Sequence, residues 1–260
     1  GTADQDFRAA PAITRALRAR LEYENYGYEP IPDSYLQSIV DWHDRRHGLK
    51  IDPQTIRHSP GVNSGLLSTL RALCPPKSKV LVLGPSYQSF YNHIRNVGAL
   101  IEESPLRFVD GRYEIDFDDF ERRIDYDVRV FILCNPHNPT GNVWSSEDLM
   151  RLGEICTRRR VAVLSDEIHC DFVSAGNTYT PYATLDNEEV VRNSITYKSV
   201  SKSFNLSSMR CAYLFSTNQE YLDRTTEQLS QGMNTLSLVA AEAAYNESEE
   251  WLNQLVEYID

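Results

Sequence analysis

Short apolar runs recur along the chain with longer amphipathic stretches between them, and this alternation limits the possible folds more than any other feature. The runs are KVLVLG (Lys79–Gly84), VRVFILC (Val128–Cys134), VAVLSDE (Val161–Glu167), SITYKSV (Ser194–Val200) and CAYLFS (Cys211–Ser216). Each is of strand length and apolar without a polar face, the pattern of strands buried on both sides. SSEDLMRLGEICTRRR (Ser145–Arg160) has capping-box spacing from Ser145 to Asp148 and closes on three arginines, so both ends suit a helix dipole. DSYLQSIVDWHDRRHG (Asp33–Gly48) runs from a capping Asp33 or Ser34 to a terminal glycine, with Leu36, Ile39, Val40 and His43 at helical spacing. PAITRALRARLEYEN opens on a proline suited to a first helical turn and repeats apolar residues at Ile13, Leu17 and Leu21. Strands alternating with helices predict an α/β fold, a mostly parallel sheet sandwiched by helices.

Composition narrows the function. The 260 residues, 41% hydrophobic and 24% charged, suffice for a sizeable core in one or two domains. A formal net charge of −11 argues against nucleic-acid binding by phosphate neutralisation. No apolar stretch approaches the roughly 20 residues that span a bilayer, and the first residues are polar, so no membrane association and a cytoplasmic location are expected. Cys74, Cys134, Cys156, Cys170 and Cys211 are odd in number and lack close pairing, which predicts buried thiols in a reducing compartment. No C-x-x-C pair is present, and no metal site is expected. The final SEEWLNQLVEYID is helical in pattern and stops abruptly, from which the natural chain is expected to continue.

An open parallel sheet binds ligands outside the carboxyl ends of its strands. After VFILC comes NPHNPTG (Asn135–Gly141), after VAVL comes SDEIH (Ser165–His169), and after SITY comes KSVSKSF. Upstream, SPGVNSGL (Ser59–Leu66) sets a glycine turn before a helical stretch, where backbone N–H groups can hold a phosphate. GPSYQSFY puts an aromatic ring, Tyr87, directly after the first apolar strand. Neither G-x-G-x-x-G nor G-x-x-x-x-G-K-[ST] occurs, so the two familiar nucleotide readings fall. What remains is what pyridoxal phosphate requires: a lysine to form an imine, a carboxylate to keep the ring nitrogen protonated, an anion cradle and a flat surface. Taken singly, each part has an ordinary reading. Lys202 alone is a solvated charge, Asp166 a helix cap, His169 or Tyr87 a core residue, and Arg210 a surface charge.

Together, NPHNPTG, SDEIH and SVSKSFN resemble the class I/II aminotransferase superfamily of fold-type I pyridoxal-phosphate enzymes. The variants NPHNPTG and DEIH are similar to its MalY/PatB-type cystathionine β-lyase, or C–S lyase, branch. TADQDF resembles that branch's VADMDF, and YGYEPIPDSYLQSIVDWHDRRHG resembles its early Gly-Tyr segment and following helix. The likeness runs from Ala3 to about Tyr245.

The resemblance implies a fold-type I large domain and a set of roles. Lys202 would form the imine with pyridoxal 5'-phosphate and later carry the substrate Cα proton. Asp166 would pair with the ring nitrogen, Asn138 and His169 would face the ring hydroxyl, and Tyr87 would stack on the ring. The N–H groups of Val62 and Asn63, the hydroxyls of Ser199 and Ser201, and Arg210 would share the phosphate. Tyr28 would reach the phosphate of a neighbouring subunit in a homodimer. Residues 1–26 would form an N-terminal arm or small-domain portion, 27–245 the cofactor-binding domain, and 246–260 the start of a helix leading into a C-terminal small domain, only part of which is present. The family arginine that grips a substrate carboxylate has no counterpart here. Ser208 and Met209 replace a family Gly-Leu, and Gln88 replaces a second tyrosine beside Tyr87.

The implied function is α,β-elimination of an S-substituted cysteine, a small amino-acid substrate, to a thiol, pyruvate and ammonia. Aminotransfer is the alternative that the same residues would serve. Oxidative processing of a cysteine conjugate is a third reading, motivated by Gln88, and a non-catalytic cofactor-loaded binding module is a fourth.

Overall fold

The computed structural model describes residues 4–229 and 232–260, so Thr2 and Ala3 of the TADQDF motif lie outside the described residues. Its strands are β1 (Arg57–Ser59), β2 (Lys79–Gly84), β3 (Leu100–Pro105), β4 (Arg107–Val109), β5 (Arg112–Glu114), β6 (Val128–Cys134), β7 (Ala162–Asp166), β8 (Ser194–Ser199) and β9 (Ala212–Phe215). Helices α1 (Pro11–Glu22), α2 (Asp33–His47), α3 (Val62–Leu73), α4 (Gln88–Asn96), α5 (Phe117–Arg123) and α6 (Ser146–Arg159) belong to the first two thirds. Helices α7 (Glu188–Arg192), α8 (Val200–Ser203), α9 (Gln219–Thr226), α10 (Thr235–Glu247) and α11 (Glu249–Ile259) follow.

Seven strands form one sheet in the order β1-β9-β8-β7-β6-β2-β3, and β4 and β5 make a separate hairpin. From β8 to β3 every neighbour is parallel, while β9 runs against both β8 and β1. This reversal matters for the site. The carboxyl ends of β1, β2, β6, β7 and β8 share one edge, and the amino end of β9 comes to that same edge, with Ala212 opposite both Ser59 and Ser199.

Strand alternation divides the core. Val80, Val82, Val130, Ile132 and Leu164 pack with Leu66 and Leu70 of α3 and with Phe90 and Ile94 of α4. Leu81, Leu83, Phe131, Leu133 and Val163 point the other way, against Phe120 of α5 and Leu149 and Leu152 of α6. A third cluster joins Ile13, Tyr35, Ile39 and Trp42 to Tyr213, Phe215 and the small residues Ala240, Ala241 and Ala244 of α10. Apolar runs of six or seven residues are the sequence signature of strands covered on both faces, as β2 and β6 are.

Several expectations change in detail. α2 is capped by Pro32 with no side-chain cap, and Asp33 is the first helical residue, where its charge faces the helix dipole. Gly48 ends α2 in the left-handed conformation as expected, at φ 62°. On α1 the buried stripe covers Ile13 and Leu17, but Leu21 is 45% exposed because the packing against the α10 cluster ends before it. Ser145 caps α6, accepting from the Asp148 N–H at 3.0 Å. Arg122 and Arg123 close α5 and pair with Asp119. All five cysteines are free and buried. Among the described residues, no helix is long and apolar enough to cross a membrane.

Candidate active site

The shared strand edge opens into a cavity of about 600 Å³, and its lining draws on every strand end the sequence pointed to. Asp166 is the last residue of β7, aligned between Cys134 on β6 and Tyr197 on β8. By alternation it shares a face with Leu164, the face covered by α3 and α4. Its carboxyl is almost wholly buried, and among the described residues it meets one donor, the Ile168 N–H at 3.1 Å. Burial pushes this carboxyl up to about 7, helped by the neighbouring Glu167 and opposed by the Ile168 N–H and by Lys198. A buried carboxyl with so little compensation is suited to a cationic ligand.

Lys202 stands on the one-turn helix α8, which β8 enters directly, and its Nζ lies 3.5 Å from the Ser207 hydroxyl. Ser199 caps that turn by accepting from the Ser201 N–H at 3.0 Å, while its own proton goes to the Cys211 carbonyl at 2.7 Å. In this arrangement Ser199 shapes the turn, and its hydroxyl must rotate before it can donate to an anion. Arg210, in the left-handed conformation at φ 51°, is exposed on the rim just before β9.

At the end of β1 the chain turns through Gly61, with φ 110°, a conformation that side chains avoid. Among the described residues no side chain caps α3, so the first N–H groups of this 12-residue helix, those of Val62 and Asn63, are available to an anion. The Asn63 side-chain oxygen lies 3.1 Å from His93 Nε2. Ser86 Oγ also lines the cavity, buried and without a hydrogen-bond partner among the described residues. Tyr87 caps α4 and packs edge-on against Phe90, with ring centroids 5.5 Å apart. Asn138 and His169 complete the lining, and burial with the Lys202 charge pulls His169 down to about 4, leaving a neutral imidazole.

Ten expected residues therefore meet in one cavity: Lys202, Asp166, Asn138, His169, Tyr87, Val62, Asn63, Ser199, Ser201 and Arg210. Tyr28 is not among the lining residues and stands fully exposed between α1 and α2. Sequence reasoning missed Ser86 and Ser207. Ser86 sits beside Tyr87 in GPSYQ, and its place directly after a strand was the signal. Ser207 lies one short turn beyond Lys202 and shows no pattern of its own. His43 and His47, four residues apart on α2, also form an H-x-x-x-H pair that the sequence reading did not count. His47, Cys170 and Asp171 bring their ligand atoms within 4.8 Å of one another. Those atoms are already engaged, because Asp171 accepts from Arg46 at 3.0 Å and from Ser203, lies 3.1 Å from His47 Nε2, and burial raises the Cys170 thiol to about 12.

The residues present fit pyridoxal phosphate. The cavity offers an under-compensated buried carboxyl for a ring cation, a lysine, uncapped N–H groups with an orphaned serine for a phosphate, and an aromatic platform. The sequence pattern described as aminotransferase class I and II matches residues 3–260. The chain belongs to this family. Within the class I and II aminotransferases it is 38% identical over 263 residues to the cystathionine beta-lyase PatB of Bacillus subtilis (strain 168), covering 99% of this chain and 68% of that protein. Cystalysin from Treponema denticola, whose structure contains pyridoxal 5'-phosphate, superposes with a TM-score of 0.97 at 28% identity, over 100% of this chain and 67% of that one. The pyridoxal-phosphate-bound C–S lyase from Staphylococcus hominis superposes with a TM-score of 0.94 at 33% identity, over 100% and 68%. The chain thus spans about two thirds of the length of these proteins. The one reversed strand and the cavity at the strand ends agree with the expected fold-type I architecture.

Proposed function

We propose that this chain forms the cofactor-binding part of a pyridoxal-phosphate-dependent C–S lyase. It would convert an S-substituted cysteine and water to a thiol, pyruvate and ammonia. The observation that carries the reading is that Lys202 and Asp166 line one cavity, where the acid is buried with a raised proton affinity.

When bound, the cofactor supplies an electron sink for bonds broken at the substrate Cα. Asp166 would hold a proton at the ring nitrogen, the state that makes the sink effective, and that cation would in turn restore the ionised carboxylate. Lys202 would bond the cofactor aldehyde and, once released by the substrate amine, remove the Cα proton, a role worth typically ~10²–10⁴-fold in rate. Asn138 and His169 would orient the ring hydroxyl, His169 doing so as a neutral donor or acceptor. Tyr87 would cover one ring face. The Val62 and Asn63 N–H groups, Ser201, Arg210 and the orphaned Ser86 would hold the phosphate, with Ser199 shaping the turn that presents them.

The active unit would be a homodimer in which exposed Tyr28 reaches the neighbouring phosphate. Five buried free thiols suit the reducing cytoplasm. Aminotransfer is the second reading, favoured by the family description. A panel of S-alkyl and S-conjugated cysteines decides between them. Pyruvate and thiol released without an added 2-oxo acid support elimination, whereas turnover only with a 2-oxo acid supports transfer.

A further inference from the structure

Behind Asp166 lies a second acid–lysine pair that the proposed chemistry does not use. Glu167, one residue on, points to the opposite face, where Lys198 Nζ approaches its Oε2 at 3.0 Å with both side chains essentially inaccessible. The pair is fully enclosed by hydrogen bonds. Lys198 donates to the Tyr179 hydroxyl at 2.8 Å, and that hydroxyl donates to Glu167 Oε2. Oε1 accepts from the Ser165 hydroxyl and from the Tyr182 N–H, each at 2.9 Å. The Glu167 N–H continues the strand ladder to the Tyr197 carbonyl at 3.1 Å, so Glu167 and Lys198 are the immediate chain neighbours of the aligned residues Asp166 and Tyr197.

A buried pair of this kind is weak evidence for stability, because the desolvation it requires rivals its attraction. Its position suggests another use. One uncompensated charge this close to Asp166, in a low-dielectric interior, would bias the Asp166 carboxyl strongly. We propose that Glu167 and Lys198 are positioning residues that form a matched charge pair behind the sheet, each cancelling the other's field at Asp166. The charge of Asp166 is then left to burial and to the cation in the cavity rather than to charged groups of the scaffold. Among the described residues, the groups around Asp166 are Cys134 on β6, Tyr197 on β8, the Ile168 N–H on its own segment, His169 and Lys202 in the cavity lining, and the Glu167–Lys198 pair behind the sheet. Burial keeps the Cys134 and Tyr197 hydrogens in place, so neither supplies a compensating charge. The influences on Asp166 have the signs the proposal requires, since Glu167 raises its proton affinity and Lys198 lowers it.

The inference rests on the reading of Asp166 as the partner of a ring nitrogen, and its test is separable from that reading. The Asp166 carboxyl is titrated by isotope-edited infrared spectroscopy in the full chain, with and without cofactor. Lys198→Met is expected to raise its proton affinity about tenfold and Glu167→Gln to lower it about tenfold, with the double variant returning near wild type. Opposite signs are the signature, because loss of mere packing would not reverse direction between the two variants. Shifts of the same sign, or none, overturn the proposal. If Lys198→Met does not fold, Glu167→Gln still decides, and an unmoved titration rejects the pair's role. Lack of a visible band from lysine-bound cofactor in wild type would instead sink the functional reading and leave the titration of the cofactor-free chain interpretable.

Discussion

Two acid–lysine pairs come from the same two segments and are treated in opposite ways. Glu167 and Lys198 are closed off from solvent, with Glu167 surrounded by Ser165, Tyr179 and the Tyr182 N–H. Asp166 and Lys202 line an open cavity, and Asp166 meets a single N–H among the described residues. Strand alternation separates the two acids, since consecutive residues face opposite sides of a sheet, and the passage from β8 into α8 separates the two lysines. The satisfied pair belongs to the scaffold. The under-satisfied one is where a ligand can supply what the fold withholds.

The sharpest break of this comparison is Lys202→Ala, which should abolish the visible band of bound cofactor and lower turnover at least ~10³-fold with the fold retained. The same substitution at Lys198 should leave the band and cost stability. Loss of the band from Lys198→Ala alone would reverse the assignment of the two lysines. Next, Asp166→Asn should lower turnover on the order of 10²-fold while leaving the cofactor-free chain as stable as wild type or more so at pH 8, because it removes a buried charge. Glu167→Ala should do the reverse to stability, at about 3–5 kcal/mol by denaturant unfolding, since it leaves Lys198 buried without its partner.

The pH dependence sharpens the contrast further. Asp166 binds its proton more tightly folded than unfolded, so its contribution to stability is complete below about 4, the ordinary carboxylate range. That contribution is lost as pH rises through about 7. His58 and His169, both drawn down to about 4 chiefly by burial, act oppositely, their contribution being lost as pH falls through that value. The stability of Asp166→Asn relative to wild type should therefore grow as pH rises from 4 to 8 in thermal melts of the cofactor-free chain, and a difference independent of pH would contradict the raised carboxyl. The smallest effect is expected at Tyr28, where Tyr28→Phe should weaken cofactor binding about tenfold in a dimer and not at all in a monomer.

Much of this arrangement was legible in the sequence, and the pattern of misses has a physical basis. β2 and β6 match their apolar runs residue for residue because each is buried on both faces but for one long basic side chain, Lys79 and Arg129. β1 and β3 went unread because they are the sheet's two edges. RHS is too short to show a period, and LIEESP carries charges where an edge strand faces solvent. The reversed direction of β9 has no local signature, yet it brings Arg210 to the cavity rim. Asp166 and Lys202 were found through motifs. The Glu167–Lys198 pair was not, because its meaning lies in contacts to Tyr179 and Tyr182, more than ten residues distant, that no spacing rule supplies.

The most direct test is chemical. The cofactor-loaded protein is reduced with borohydride, digested and mapped by mass spectrometry to locate the pyridoxyl label within SITYKSVSKSFN. The account predicts the label on Lys202 alone. A label on Lys198, or an unlabelled peptide from protein that carries stoichiometric cofactor, would contradict it.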